Sequence, residues 1–181
     1  MQSCCFDLET SSLNGNFGII LCACIKPWRG KIKILRGDDY KNWKKKRSDD
    51  YRLAKDIYNE LKKYDIWIAH NGVKFDVPFL RTRLMRRRFQ VPPFKIVDPV
   101  KLARRHLRMG YNSLEQIASH LGYEGKTRVD SKHWLRASLD GSSTSLNYIV
   151  KHCAIDVDLL EKVADAVRPY VPRVNTWGSD T

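Results

Sequence analysis

Phe6-Asp7-Leu8-Glu9-Thr10 places two acids one residue apart inside an apolar run that begins at Cys4. Residues 4–8 read as a β-strand, and residues 17–25 as its apolar neighbour. Side chains alternate across a strand, so Cys5, Asp7 and Glu9 share one face. Two carboxylates on one face of a central strand repel each other, and burying them is costly unless a cation compensates. Ligands made only of oxygen favour hard ions such as Mg²⁺ or Mn²⁺. The fold and the chemistry therefore turn on whether other acids reach that face.

Working outward, Asn14-Gly15-Asn16 is a turn signal, residues 31–34 alternate as a third strand, and residues 38–50 form a polar, lysine-rich loop. A helix is expected over 50–63 with Leu53, Ile57, Tyr58 and Leu61 on one face, then a fourth strand over 65–69. A second helix over 76–88 and a fifth strand over 94–97 follow. Asp98-Pro99 opens another helix, with Asp at the N-cap and Pro at the first position. Ser113 to Gln116 resembles a capping box, and Gly122 ends that helix. Residues 122–145 read as a long loop with a short helical piece, 146–167 as a long amphipathic helix, and 171–181 as a flexible tail. Three strands in succession, then strands alternating with helices, imply an α/β fold. In it a mixed sheet, antiparallel first and then parallel, is flanked by helices in one domain over 1–170.

The charge balance narrows the partners. Lys and Arg number 33 against 20 Asp and Glu, a net +13, which favours nucleic acid over an anionic membrane surface. The five cysteines are odd in number and mostly within apolar strand patterns. They read as free thiols in a reducing compartment: cytoplasm, nucleoid, nucleus or organelle matrix. Cys22 and Cys24 lie on a strand, without the paired spacing a zinc site needs. No signal peptide is expected, and the longest apolar run, 17–25, is too short to span a bilayer.

Two further acids stand out. Asp156 lies inside the apolar stripe of the last helix, seven residues after Ile149 and four before Leu160, with His152 one turn away. A His–Asp pair within the helix is one reading of that spacing. Asp76 follows the fourth strand and opens a helix, where it serves either as an N-cap or as a third acid at the strand ends, the place where ligands gather in open α/β sheets.

Asp7-Leu8-Glu9, Asn71-Gly72-Val73-Lys74-Phe75-Asp76 and His152-Cys153-Ala154-Ile155-Asp156 resemble, in order, the three motifs of the DEDD superfamily, the DnaQ-like 3′→5′ exonucleases with an RNase H-like fold. Ile96 to Ala103 and Asn112-Ser113-Leu114 stand in the expected positions between them. The resemblance implies two Mg²⁺ or Mn²⁺ ions, with Asp7 bridging both, Glu9 and Asp156 on one, and Asp76 on the other. It further implies His152 as general base and release of nucleoside 5′-monophosphates from DNA 3′ ends, single-stranded or frayed. The spacing departs from the family in one respect. The base of the histidine subgroup stands five residues before the last Asp, and here that residue is Lys151. His152 stands four before, at the tyrosine subgroup's spacing.

The resemblance places Thr10, Asn71 and Phe75 near the terminal nucleotides, though Phe75 has an equal claim as a core anchor. Runs 41–47, 81–88 and 101–108 supply cations for a phosphate backbone. Lys126 and Trp134, in the loop before the last motif, are candidates to clamp single-stranded substrate by charge and stacking, while Trp134 can equally pack that loop onto the body. A 3′→5′ exoribonuclease and a nucleic-acid-binding module that needs a partner are the rival readings. A polymerase, helicase or other replication or repair factor is the candidate protein partner.

Overall fold

The structure, a computed structural model, describes residues 1–123, 130–171 and 177–178. A six-stranded sheet carries the order β3-β2-β1-β4-β5-β6. β1 (Ser3–Thr10) is central, antiparallel to β2 (Ile20–Pro27) and parallel to β4 (Ile66–Ile68). β3 (Lys33–Arg36) pairs antiparallel with β2, and β5 (Lys95–Val97) parallel with β4. The mixed sheet expected from the order of elements is the one observed. Within the segment 171–181, Trp177–Gly178 forms β6, antiparallel to β5.

The helices are α1 (Asn42–Lys45), α2 (Tyr51–Leu61), α3 (Asp76–Met85), α4 (Pro99–His106), α5 (Leu114–His120), α6 (Lys132–Leu139) and α7 (Ser143–Val167). They cover both faces. Cys4, Phe6 and Leu8 point from β1 to α2 and α3, whose Leu53, Ile57, Leu61 and Leu80 complete one core. Cys5 points the other way with Leu21, Cys22 and Cys24 of β2, against Ile149, Cys153, Val157 and Leu160 of α7. Every residue from Ile20 to Ile25 is buried, as a strand covered on both sides requires. Period-2 alternation therefore sends Asp7 and Glu9 to the α7 face. Among the described residues no helix is long and apolar enough to cross a membrane.

Three local expectations are corrected. β2 starts at Ile20, not at 17. The N–H groups of Phe17 and Gly18 both bond to the Asn14 carbonyl, which closes a turn and leaves Phe17 82% exposed. The run 38–50 is not wholly a loop. Trp43 in α1 is buried over Gly37, where a Cβ would stand 2.4 Å from the indole, and this anchors the lysine-rich segment to the body. α7 begins at Ser143, because the Ser142 hydroxyl caps it through the Ser145 N–H.

One ion pair ties together the core under α2 and α3. Arg83 of α3 bonds Asp50 at 2.6 Å, with both side chains buried. It also donates to the carbonyls of Gly15 and Ser48, both at 2.9 Å. Asp50 in turn accepts the Ile20 N–H at 2.7 Å. A residue from the middle of an arginine run is thus a structural hub.

Candidate active site

Asp7 pairs with Cys24 and Glu9 with Cys22 in the β1–β2 ladder, and the register slips between Glu9 and Thr10. Such a bulge bends a strand and re-aims the side chain beside it. Ligand atoms of Asp7, Glu9 and Cys153 lie within 4.8 Å of one another. The Asp7 carboxyl is held well above the ordinary carboxylate range, first by burial and then by the charges of Glu9, Asp76 and Asp156. Glu9 of β1, Asp76 of α3 and Asp156 of α7 thus all bear on the Asp7 carboxyl.

Asp76 is the first residue of α3 rather than its N-cap, a position taken by Phe75 without a side-chain cap bond. Its carboxylate crosses to β1 and accepts the Leu8 N–H at 3.0 Å, which fixes α3 against the strand that carries Asp7 and Glu9. Only 3% of Asp76 is exposed. Burial pushes its carboxyl up to about 7, opposed by hydrogen bonds from the backbone N–H groups of Leu8 and Asp76 itself and assisted by the Asp98 charge.

Asp98 has two tasks. It caps α4 through the Val100 N–H at 3.1 Å, as its sequence position suggests, and it also accepts the N–H groups of Asn71 at 3.0 Å and Val73 at 3.4 Å. Asn71 sits at φ +60°, a left-handed backbone that Asn tolerates. Gly72 follows, where a Cβ would stand 2.3 Å from that of Ala69. The exposed Asn71 side chain is thereby presented beside an open cleft of about 570 Å³ lined also by His70, Arg104, Tyr111 and Asn112. Phe75 is half-buried and packs on Phe79 with ring centres 5.8 Å apart.

From α7, His152 Nε2 stands 3.4 Å from Asp156 and 4.0 Å from Glu9. His152 is buried, and Val157 rather than Asp156 completes the apolar stripe, while Asp156 lies largely buried at the stripe's edge. Cys153 donates its thiol to the Asp7 carbonyl at 3.5 Å. α6 brings Trp134 to the same place, its indole N–H 2.9 Å from Glu9 Oε2 and its ring edge-on to His152 at 5.9 Å.

A sequence model of the RNase H superfamily matches residues 4–168. The chain belongs to the RNase H superfamily. Among solved structures, it is similar to the family B DNA polymerase of the hyperthermophilic archaeon Pyrobaculum calidifontis, at 15% identity and a TM-score of 0.69. That likeness covers 93% of this chain and 25% of the polymerase, so this chain spans about a quarter of the polymerase's length and the likeness is one of fold. No curated protein matches the sequence.

Nucleases of the RNase H superfamily use divalent metals, and this donor set fits such an ion. Its oxygens come from acids whose mutual repulsion a dication relieves. Burial and the Cys22 and Cys24 thiols hold Cys153 well above the usual thiol range, so it remains a protonated neighbour rather than a thiolate ligand. Superfamily membership and the acid cluster together support a nuclease, a phosphodiester hydrolase whose substrate is nucleic acid.

The other expected contacts of this RNase H superfamily chain are placed as follows. The Thr10 hydroxyl donates to the Ser12 carbonyl at 2.8 Å, at the half-exposed end of β1. Lys126 lies outside the described residues. Of the basic runs, Lys41, Lys44, Lys45 and Lys46 are exposed, as are Arg104, Arg105 and Arg108, whereas Arg83 is internal and Arg81 lies over the Phe94 ring at 4.9 Å. Sequence reasoning missed the grip of Asp98 on Asn71 and the bond from Trp134 to Glu9. An acid at an N-cap immediately after the fifth strand was the available signal for the first, and nothing in the sequence signalled the second.

Proposed function

We propose that this chain is a divalent-metal-dependent 3′→5′ exonuclease that acts on DNA at single-stranded or frayed 3′ ends and releases nucleoside 5′-monophosphates. The observation that carries the reading is the convergence of Glu9, Asp76 and Asp156 on the Asp7 carboxyl, with His152 at 3.4 Å from Asp156 and 4.0 Å from Glu9. Asp7, Glu9, Asp76 and Asp156 would hold two Mg²⁺ or Mn²⁺ ions, which supply charge stabilisation to the attacking water, the phosphoryl oxygens and the departing 3′-oxygen.

The protein's own groups do the rest. Asp76 keeps α3 against β1 through Leu8, so the acids from both elements keep one geometry. His152 Nε2 takes the proton from water as its oxygen bonds to phosphorus. The bond from phosphorus to the penultimate 3′-oxygen breaks, that oxygen is protonated, and a nucleotide with a 5′-phosphate leaves. Asn71 and Phe75, standing at the entrance to α3, would receive the terminal nucleotides, and the strand would leave across the cleft that holds Arg104 and Tyr111. Exposed lysines of residues 41–46 add a salt-dependent attraction for the phosphate backbone. A polymerase or other replication factor is the protein partner this reading favours.

The test uses 5′-labelled single-stranded DNA and RNA of one sequence, each with a free or blocked 3′ end, in Mg²⁺, Mn²⁺ or EDTA. A metal-dependent ladder from free DNA ends, absent in Asp7→Ala, supports the proposal. A ladder on RNA alone moves the substrate to RNA. Cleavage of 3′-blocked DNA replaces the exonuclease with an endonuclease, and binding without cleavage leaves a binding module.

A further inference from the structure

We infer that Trp134 is a positioning residue for the acid site, holding the Glu9 carboxylate in place through its indole N–H. The inference rests on the reading of that site as a divalent-metal centre, and it assigns the indole to Glu9 in place of a base-stacking role. An indole nitrogen can only donate. At 2.9 Å from Glu9 Oε2 it fixes one oxygen of the carboxylate and leaves Oε1 on the side of His152 Nε2, 4.0 Å away. The bond brings no positive charge, so it orients Glu9 without competing with a cation for it. The Trp134 ring also stands edge-on to His152 at 5.9 Å and 80°, so one side chain orders both a metal-ligand candidate and the candidate base.

The helix that carries Trp134 is held at both ends. Its last carbonyls, which have no partners within the helix, are taken by a distant segment. Arg47 donates to the Ser138 carbonyl at 2.9 Å and to that of Leu139, and just past the helix Trp43 Nε1 donates to the Gly141 carbonyl at 3.3 Å. At the first turn, His133 stacks on Tyr148 of α7 at 4.1 Å and shares a 3.3 Å contact with the Ser145 hydroxyl. Fixed ends give the indole a fixed address, which a flexible stacking platform does not need. Partners that orient a metal-binding group from behind change metal affinity by about 10- to 100-fold when removed.

The experiment measures Mn²⁺ binding to the full chain by electron paramagnetic resonance, together with Mn²⁺ quenching of tryptophan emission and steady-state kinetics on an oligonucleotide. Trp134→Phe keeps the ring and deletes the N–H. It should bind Mn²⁺ about tenfold more weakly, lose part of the quenching, and lower kcat with KM for the oligonucleotide unchanged. Arg47→Ala, which leaves Trp134 and Glu9 intact, should act in the same direction, and the double variant should be no worse than Trp134→Phe alone. Unchanged Mn²⁺ affinity in a folded Trp134→Phe protein overturns the inference, and so does a rise in KM with kcat intact, which marks a stacking residue. Absence of Mn²⁺ binding by the wild-type chain overturns the metal-centre reading itself, and the role of Trp134 with it.

Discussion

Asp98 accepts the backbone N–H of Asn71 at 3.0 Å across a sequence distance of 27 residues, and so ties the cap of α4 to the loop that leads into Asp76. The same carboxylate caps Val100 and reaches Val73. Removing it strands three N–H groups at once, one of which belongs to a residue in left-handed backbone. Asp98→Ala should therefore destabilise the fold by about 2 kcal/mol or more, seen as a lower midpoint in urea. It should also slow the nuclease, because the loop sets Asn71 and Phe75. Asp98→Asn keeps an accepting oxygen and should recover most of the stability. Equal loss in both variants would mean that the charge, not the bonds, matters.

The acids that would make the metal site are a burden without it. The Asp76 carboxyl is raised from 3.8 to about 7. A raised folded-state value means that the native state holds a proton the unfolded chain has released. Stability from this group is thus full below about 4 and lost as pH climbs through about 7. In EDTA, the stability of Asp76→Asn relative to wild type should rise between pH 5 and pH 8, by about 2–3 kcal/mol if Asp76 alone carries the shift. Mg²⁺ should shrink that gap by stabilising the wild type. Urea melts at three pH values decide it, and a gap that does not change with pH would contradict the account.

His152 offers a direct test of the base. His152→Ala should lower kcat by about 10²- to 10⁴-fold while leaving Mn²⁺ binding in place, since the four acids remain. His152→Tyr restores a proton acceptor at the spacing of the tyrosine subgroup, and should regain part of the rate with its pH dependence displaced upward, toward the phenol's higher range. An unaltered pH–rate profile in His152→Ala would assign the proton elsewhere.

Arg83 is predicted to matter for folding and not for chemistry. Arg83→Leu leaves Asp50 charged and buried without its partner, a loss of about 3–5 kcal/mol. Arg83→Lys cannot span Asp50 and the carbonyls of Gly15 and Ser48 together, and should recover only part of it. Thermal melts measure both, and residual protein that folds should retain its metal affinity.

The parts legible in the sequence were those governed by short-range periodicity. A period of two put Asp7 and Glu9 on the face with Cys5, and the α2 stripe of Leu53, Ile57, Tyr58 and Leu61 is buried as its spacing indicates. The opening of α4 was equally plain, because Asp98 and Pro99 act locally. Contacts made across the sheet were not. Arg83 is one of five arginines in a short run, and its inward turn depends on where Asp50 arrives from another helix. Trp43 is a lone aromatic among lysines, and its burial depends on the space above Gly37 and the carbonyl of Gly141. The bond between Trp134 and Glu9 joins residues 125 positions apart, and no local pattern encodes it.

Cys22, Cys24 and Cys153 sit between β2 and α7, directly behind Asp7, and among them no side chain reaches solvent. A thiol reagent can meet them only when the long helix lifts from the strand beneath it, and that same motion would pull His152 and Asp156 away from Asp7 and Glu9. The protein therefore carries its own clock. The rate at which these sulfurs take up label in the native state counts the moments when the site comes apart, and slower uptake on adding a divalent ion would report that ion through the back of the site rather than the front.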